Sequence, residues 1–166
     1  MELKRYERKW LDIVKAQEER LRTDGMDADG ALRLGLIMAR LAREKYKKSI
    51  SIRIITNGQT TFEYYMEGTD SLNRWWMDKK LNTCRATSVS SVRALIEVGE
   101  GLRESAPEFE IENNYALCGG CFPLRTPGGR LIGYVLCSGM AHEEDHQLIA
   151  DALGEYLGID VPSLLD

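Results

Sequence analysis

Cys118-x-x-Cys121 and, shortly after it, His142-Glu143-Glu144-Asp145-His146 are the stretches whose residue types could do chemistry. The second reads H-E-x-x-H. On a helix that spacing puts two imidazoles on one face as zinc ligands, with the glutamate beside the first polarising a metal-bound water. A metal-dependent hydrolase using His142 and His146 is therefore one reading. Three features oppose it. The pattern falls in the first turn of an expected helix just after Ser138-Gly139, not inside an apolar helix. A further ligand would have to come from Asp151, Glu155, Asp160 or an upstream residue, because the chain has only these two histidines. Acids in a first helical turn also have an ordinary role, opposing the positive end of the dipole.

The cysteine pair is as ambiguous. A zinc finger places its histidines about a dozen residues after the second cysteine, whereas 20 residues separate Cys121 from His142. A thioredoxin-like pair sits at a helix N-terminus, where the thiolate is stabilised, but this one leads into an expected strand. The plainer reading is two small, partly buried thiols flanking Gly119-Gly120, a glycine pair that permits close backbone approach.

The elements that must position these residues follow from hydrophobic period. Residues 1–22 carry a helical stripe (Trp10, Ile13, Val14, Leu21), and Thr23–Gly30 is a breaker loop. A second helix is expected from a cap near Asp29, with Leu32, Leu34, Ile37, Met38, Leu41 and Tyr46 as its stripe and Gly35 as a point of close packing. Ile50, Ile52 and Ile54 then alternate, Asn57-Gly58 signals a hairpin, and Phe62, Tyr64 and Met66 return. Residues 71–86 and 90–103 read as one interrupted helix or two, and 106–118 as irregular. Gly119–Thr126 and Arg130–Ser138 form a second hairpin around Pro127-Gly128-Gly129, and the last helix runs from about His142 to Leu157. Two separated antiparallel hairpins cannot build a parallel doubly wound sheet, so an α+β domain is expected.

At 166 residues, 43% hydrophobic and 29% charged, the chain suits one globular domain with a real core. Its interspersed charges, net −4, give no support to nucleic-acid binding. It shows neither an apolar leader nor a membrane-spanning run, and a cytoplasmic location with reduced thiols is expected.

The run Gly119-Gly120, Phe122-Pro123-Leu124-Arg125, Gly133, Ser138-Gly139 and Glu144-Asp145-His146 resembles a family of bacterial and fungal proteins placed beside the GlcG/HbpS-like "haem-degrading" domains. Upstream, Gln17-Glu18, Leu21, Leu34-Gly35, Gly68-Thr69, Asn73, Trp76, Lys80, Asn82 and Ser90-Ser91 fit as well, so the likeness spans residues 11–157. It departs at Cys118, where many relatives have histidine, at Cys121, where a small residue such as serine stands, at Val89, and at position 142, which is usually not histidine. Both metal-like patterns thus depend on residues outside the family pattern.

The resemblance implies a single GlcG/HbpS-like domain over residues 1–166 with an N-terminal helix, and a profilin-like fold with a five-stranded antiparallel sheet flanked by helices. It also implies self-association into dimers or larger rings. Haem or a related tetrapyrrole is the leading ligand, with His146 as the histidine that matches the pattern and Cys118 and Cys121 as thiolate options. Lys80, Arg125 and Ser138, with the helix start at Glu144 and Asp145, would suit an anionic small molecule, and Phe122 is the apolar candidate. Adjacent Trp75 and Trp76 point about 100° apart on a helix, toward core and interface. No nucleophile–base pair stands out, so the expectation leans away from an enzyme. The competing reading is an assembly protein without a ligand.

Overall fold

The computed structural model describes residues 2–104 and 114–166. Five α-helices and four strands follow the order α1 (Trp10–Arg20), α2 (Ala28–Leu41), β1 (Ser51–Thr56), β2 (Gln59–Tyr65), α3 (Ser71–Thr87), α4 (Ser91–Gly99), β3 (Cys121–Arg125), β4 (Leu131–Ser138) and α5 (His142–Leu157). The strands form one antiparallel sheet ordered β2-β1-β4-β3. The α+β class with an antiparallel sheet and flanking helices is thus as expected, but among the described residues the sheet has four strands and not five. Each hairpin contributes two, and the chain between Asn114 and Gly120 reaches β3 without pairing as a strand.

Helices cover both faces of the sheet. Ile52 and Ile54 of β1, Phe122 and Leu124 of β3, and Val135 and Cys137 of β4 pack with Leu34 and Met38 of α2 and Leu148, Ile149 and Leu153 of α5. On the other face Ile55, Cys121 and Leu136 meet Met77, Leu81 and Cys84 of α3. This is why β1 is buried along its whole length and not on one side only. Strand β2 is an edge and largely exposed. Helix α1 lies outside this sandwich and packs through Trp10 and Val14 on Val92 and Ile96 of α4.

Local chemistry sets the boundaries. Asp27, not Asp29, caps α2 by accepting the Gly30 N–H at 2.7 Å. A π-helical turn, Ala42–Tyr46, continues that helix until Lys47 ends it in the left-handed region. Leu32, expected in the buried stripe, is 47% exposed. Asn57 and Gly58 both have positive φ (52° and 73°), as a two-residue type I′ hairpin requires. The third helical region is two helices: Ser88 adopts φ 61° and Ser90 caps α4. Residues 2–9 are not part of α1; they form an irregular strap whose Arg5 carbonyl meets His142 at the start of α5.

Candidate functional site

A cavity of about 360 Å³ opens where this strap, α3, the end of β4 and the first turn of α5 meet. Helix α3 supplies Trp76 and Lys80, four residues apart and hence on one face. The last residue of β4 supplies Ser138, the first turn of α5 supplies His142 and Asp145, and the loop before β3 supplies Cys118.

The loop reaches α5 because it has no side chain there. A Cβ on Gly119 would lie 2.3 Å from the His142 carbonyl oxygen, and one on Gly120, at φ 127°, would lie 2.4 Å from the Cys137 carbonyl oxygen. The glycine pair therefore does what was expected of it, close backbone approach, and its approach is what puts Cys118 on the cavity.

The floor is a buried ion pair. Lys80 Nζ lies 2.8 Å from Asp145 Oδ2 with both side chains 3% exposed, and it also donates to the Cys137 carbonyl at 3.0 Å. The other carboxylate oxygen accepts the Met140 N–H at 3.0 Å and faces the Cys137 thiol at 3.7 Å. Burial works against both charges, lowering Lys80 and raising Asp145. For Lys80 the contact with Asp145 outweighs burial, so it stays an ammonium with its pKa raised above the ordinary lysine value, whereas for Asp145 burial outweighs its three donors and holds the carboxyl above the ordinary aspartate value. Burial also raises the Cys118 and Cys137 thiols, which leaves them protonated and poorly nucleophilic.

His142 closes the site. Its Nδ1 accepts the Gly119 N–H at 3.1 Å, and its Nε2 lies 2.7 Å from the Arg5 carbonyl oxygen. A backbone N–H can only donate and a carbonyl can only accept, so the proton sits on Nε2. A second proton would face the Gly119 N–H, consistent with a pKa held below the ordinary value, first by burial. His142 is thus a neutral imidazole that ties the strap to the loop before β3. Lys4 of the strap lies 5.6 Å from the Trp76 ring centroid and completes the cover.

Of the residues singled out in the sequence, Lys80, Ser138, Asp145, Cys118 and His142 meet at this cavity. His146 and Phe122 pack together in the core beneath it, ring centroids 5.9 Å apart. His146 is fully buried, and its Nε2 pairs with Gln17 Oε1 at 2.7 Å. The Gln17 amide nitrogen donates to Gln147 and to the Pro162 carbonyl, so His146 donates and its Nδ1 has no partner. Arg125 lies elsewhere, donating to the Gly129 and Ser88 carbonyls. Glu144 pairs with Lys48 at 2.7 Å.

The two imidazoles of H-E-x-x-H therefore do not converge: one faces the cavity and the other the core. Cys118 and Cys121 part likewise, Cys121 joining Cys84 against α3. Among the described residues no three His, Cys, Asp or Glu side chains gather as a metal site would need. The site also uses residues that sequence reasoning passed over. Lys4 and Arg5 carry no local signal, since only the tertiary path of the strap brings them here. Trp76, expected in core or interface, walls the cavity.

Comparison with known proteins comes to the same family as the resemblance. The model of the family described as "Haem degrading protein HbpS-like" matches residues 26–154. A UPF0303 protein of Yersinia pseudotuberculosis serotype O:3 is 32% identical over 155 residues, covering 93% of this chain and 90% of its own. Among solved structures, the Ybr137w protein superposes with a TM-score of 0.78 at 22% identity, over 91% of this chain and 92% of its own. PduOC, solved in complex with haem, superposes with a TM-score of 0.66 at 19% identity, over 84% of this chain and 98% of its own. At such identities these superpositions speak for the fold. Cys118 and His142 both open on the cavity.

Proposed function

The chain belongs to the HbpS-like haem-degrading protein family, and on that premise we propose that it binds a small ligand in the cavity between α3 and α5, with haem or a related tetrapyrrole as the leading class. The observation that carries this reading is the cavity itself: a buried polar floor built on the Lys80–Asp145 ion pair, an aromatic wall at Trp76, and a neutral imidazole at its mouth. Such a mixture of apolar wall and few convergent polar groups is typical of small-molecule sites. The PduOC complex with haem supports the class.

Haem needs an axial ligand and an apolar slot. Trp76 and Met140 supply apolar surface, and His142 is the imidazole on the cavity. Its Nε2 would be free to hold the iron only if the Arg5 bond opened and the proton moved to Nδ1, which would also end the Gly119 bond. Coordination by His142 and the closed strap are therefore alternatives. Haem bound there would supply iron-centred redox chemistry. The residues of the chain would bind and orient it, with the Lys80–Asp145 pair at the floor and Lys4 at the rim.

Haemin titration tests this. The Soret band shifts on binding, and His142→Ala changes the shifted spectrum. A flat titration, or a His142→Ala spectrum identical to wild type, overturns the assignment. His146→Ala, which alters the core, is expected to lower stability while leaving a wild-type Soret position in the folded fraction.

Self-association is a second and compatible reading. Leu32 and Leu36, one turn apart on α2, and Leu72 on α3 are each about half exposed or more, 47%, 56% and 56%, and such apolar surface favours association between copies.

A further inference from the structure

We infer that the floor of this cavity, where α5 begins, is a subsite for an acceptor-only group of the ligand: a carboxylate or a phosphate. The inference rests on reading the cavity as a ligand site and specifies which chemical group of the ligand enters it first.

Helix α5 has 16 residues, and its N-cap is Ala141, which offers no side-chain acceptor. The Ala141 N–H is taken by Glu144 Oε2 at 3.3 Å and the Met140 N–H by Asp145. The Glu144 and Asp145 N–H groups turn to the Ala141 carbonyl. That leaves the N–H groups of His142 and Glu143 without an acceptor among the described residues, at the positive end of the helix dipole.

A second observation comes from the sheet. Ser138 lines the cavity, is 4% exposed, and its hydroxyl has no partner among the described residues. Ser51, paired directly opposite it on β1, is fully buried, and its hydroxyl is likewise unpartnered. Polar groups this deep normally find a partner. Lys80 adds a third donor type: an ammonium has three N–H bonds, and among the described residues only two are used, on Asp145 and the Cys137 carbonyl.

The Asp145 and His142 acceptors at the same place are engaged: both oxygens of Asp145 are taken, and the His142 Nδ1 lone pair holds Gly119. The Glu143 carboxylate stands at the rim, 27% exposed, and the charges of Lys4 and Lys80 balance those of Glu143 and Asp145. Recognition therefore comes from short-range donors and not from a long-range positive field. A group carrying several acceptor lone pairs and no donor matches the floor, where the available N–H groups outnumber the available acceptors.

Amide NMR on the intact protein tests the subsite, with inorganic phosphate and acetate as probes at constant ionic strength. The His142 and Glu143 amide signals should shift saturably with one or both anions, and the preferred anion distinguishes a phosphate from a carboxylate. Ser138→Ala should weaken that anion about tenfold, the usual effect of losing one hydrogen bond to a charged group. Ala141→Asp, which gives the helix its own acceptor and leaves the core untouched, should abolish the shift. Amides silent to both anions, or unchanged affinity in Ser138→Ala and Ala141→Asp, overturn the inference. A parallel haemin titration separates the two readings. If the anions bind and haemin does not, the subsite stands and the tetrapyrrole reading falls. If haemin and its dimethyl ester bind equally while the anions are silent, the subsite falls and the tetrapyrrole reading stands.

Discussion

His142 and His146 stand one helical turn apart in different media, and the difference sets their chemistry. His146 is sealed in the core, where burial, with the neighbouring His142 adding to it, pushes its pKa down to about 3. An unfolded histidine titrates near 6.5, so below that pH the unfolded state binds the proton that the folded state refuses. The stabilisation is complete above pH 6.5 and is lost as pH falls toward 3. From pH 7 to pH 5 this one group removes about 2 kcal/mol. Urea unfolding at the two pH values should show that loss in wild type and a smaller one in His146→Gln. His142, also depressed, acts in the same direction. The Lys80–Asp145 pair yields a second prediction. Lys80→Met alone leaves a buried carboxylate unpaired and should cost about 3–5 kcal/mol, whereas Lys80→Met with Asp145→Leu recovers much of it. A loss in the double variant equal to the sum of the Lys80→Met and Asp145→Leu losses would mean that the pair is not coupled.

Elements matter here chiefly where they touch. Strand β4 runs so close to β1 that a Cβ on Gly133 would stand 2.1 Å from the Ile55 carbonyl oxygen. Gly133→Ala must shift one strand, at about 1–3 kcal/mol, read as a lower denaturant midpoint. Asp27→Ala removes the α2 cap and should cost about 1 kcal/mol. Most of these elements were legible in the sequence. Helix α5 begins at His142 and ends at Leu157 as its stripe indicated, and Asn57-Gly58 announced its hairpin, because period and turn chemistry are local. The two errors at chain ends and caps are equally physical. Residues 1–9 carry helical composition, yet the Arg5 carbonyl is held by His142 and the Tyr6 hydroxyl by Glu100, and these long-range bonds replace the first turns of a helix. Asp29 and Asp27 are equally good caps by type; only the register of the buried face selects Asp27.

For the whole molecule, the arrangement of two helices on one face of a four-stranded sheet and one on the other leaves Leu32, Leu36 and Leu72 facing outward. Light scattering should give a mass that is a multiple of the 18.8 kDa chain, and replacing Leu32 and Leu36 by serine should reduce it. A monomer at high concentration would remove the assembly reading. No helix among the described residues is long and apolar enough to cross a membrane.

What the sequence determined by itself is the α+β class, the two hairpins and the family, since each rests on residue order within a short window. It also placed Lys80, Ser138 and Asp145 among the candidates. Only the tertiary structure decided that these three meet Cys118 and His142 at one cavity while His146, Phe122 and Arg125 do not. Residues one position apart on a helix point about 100° apart, so Asp145 can face a cavity and His146 the core. Which of the two does so depends on where α3, the strap and the sheet lie, and no local pattern contains that.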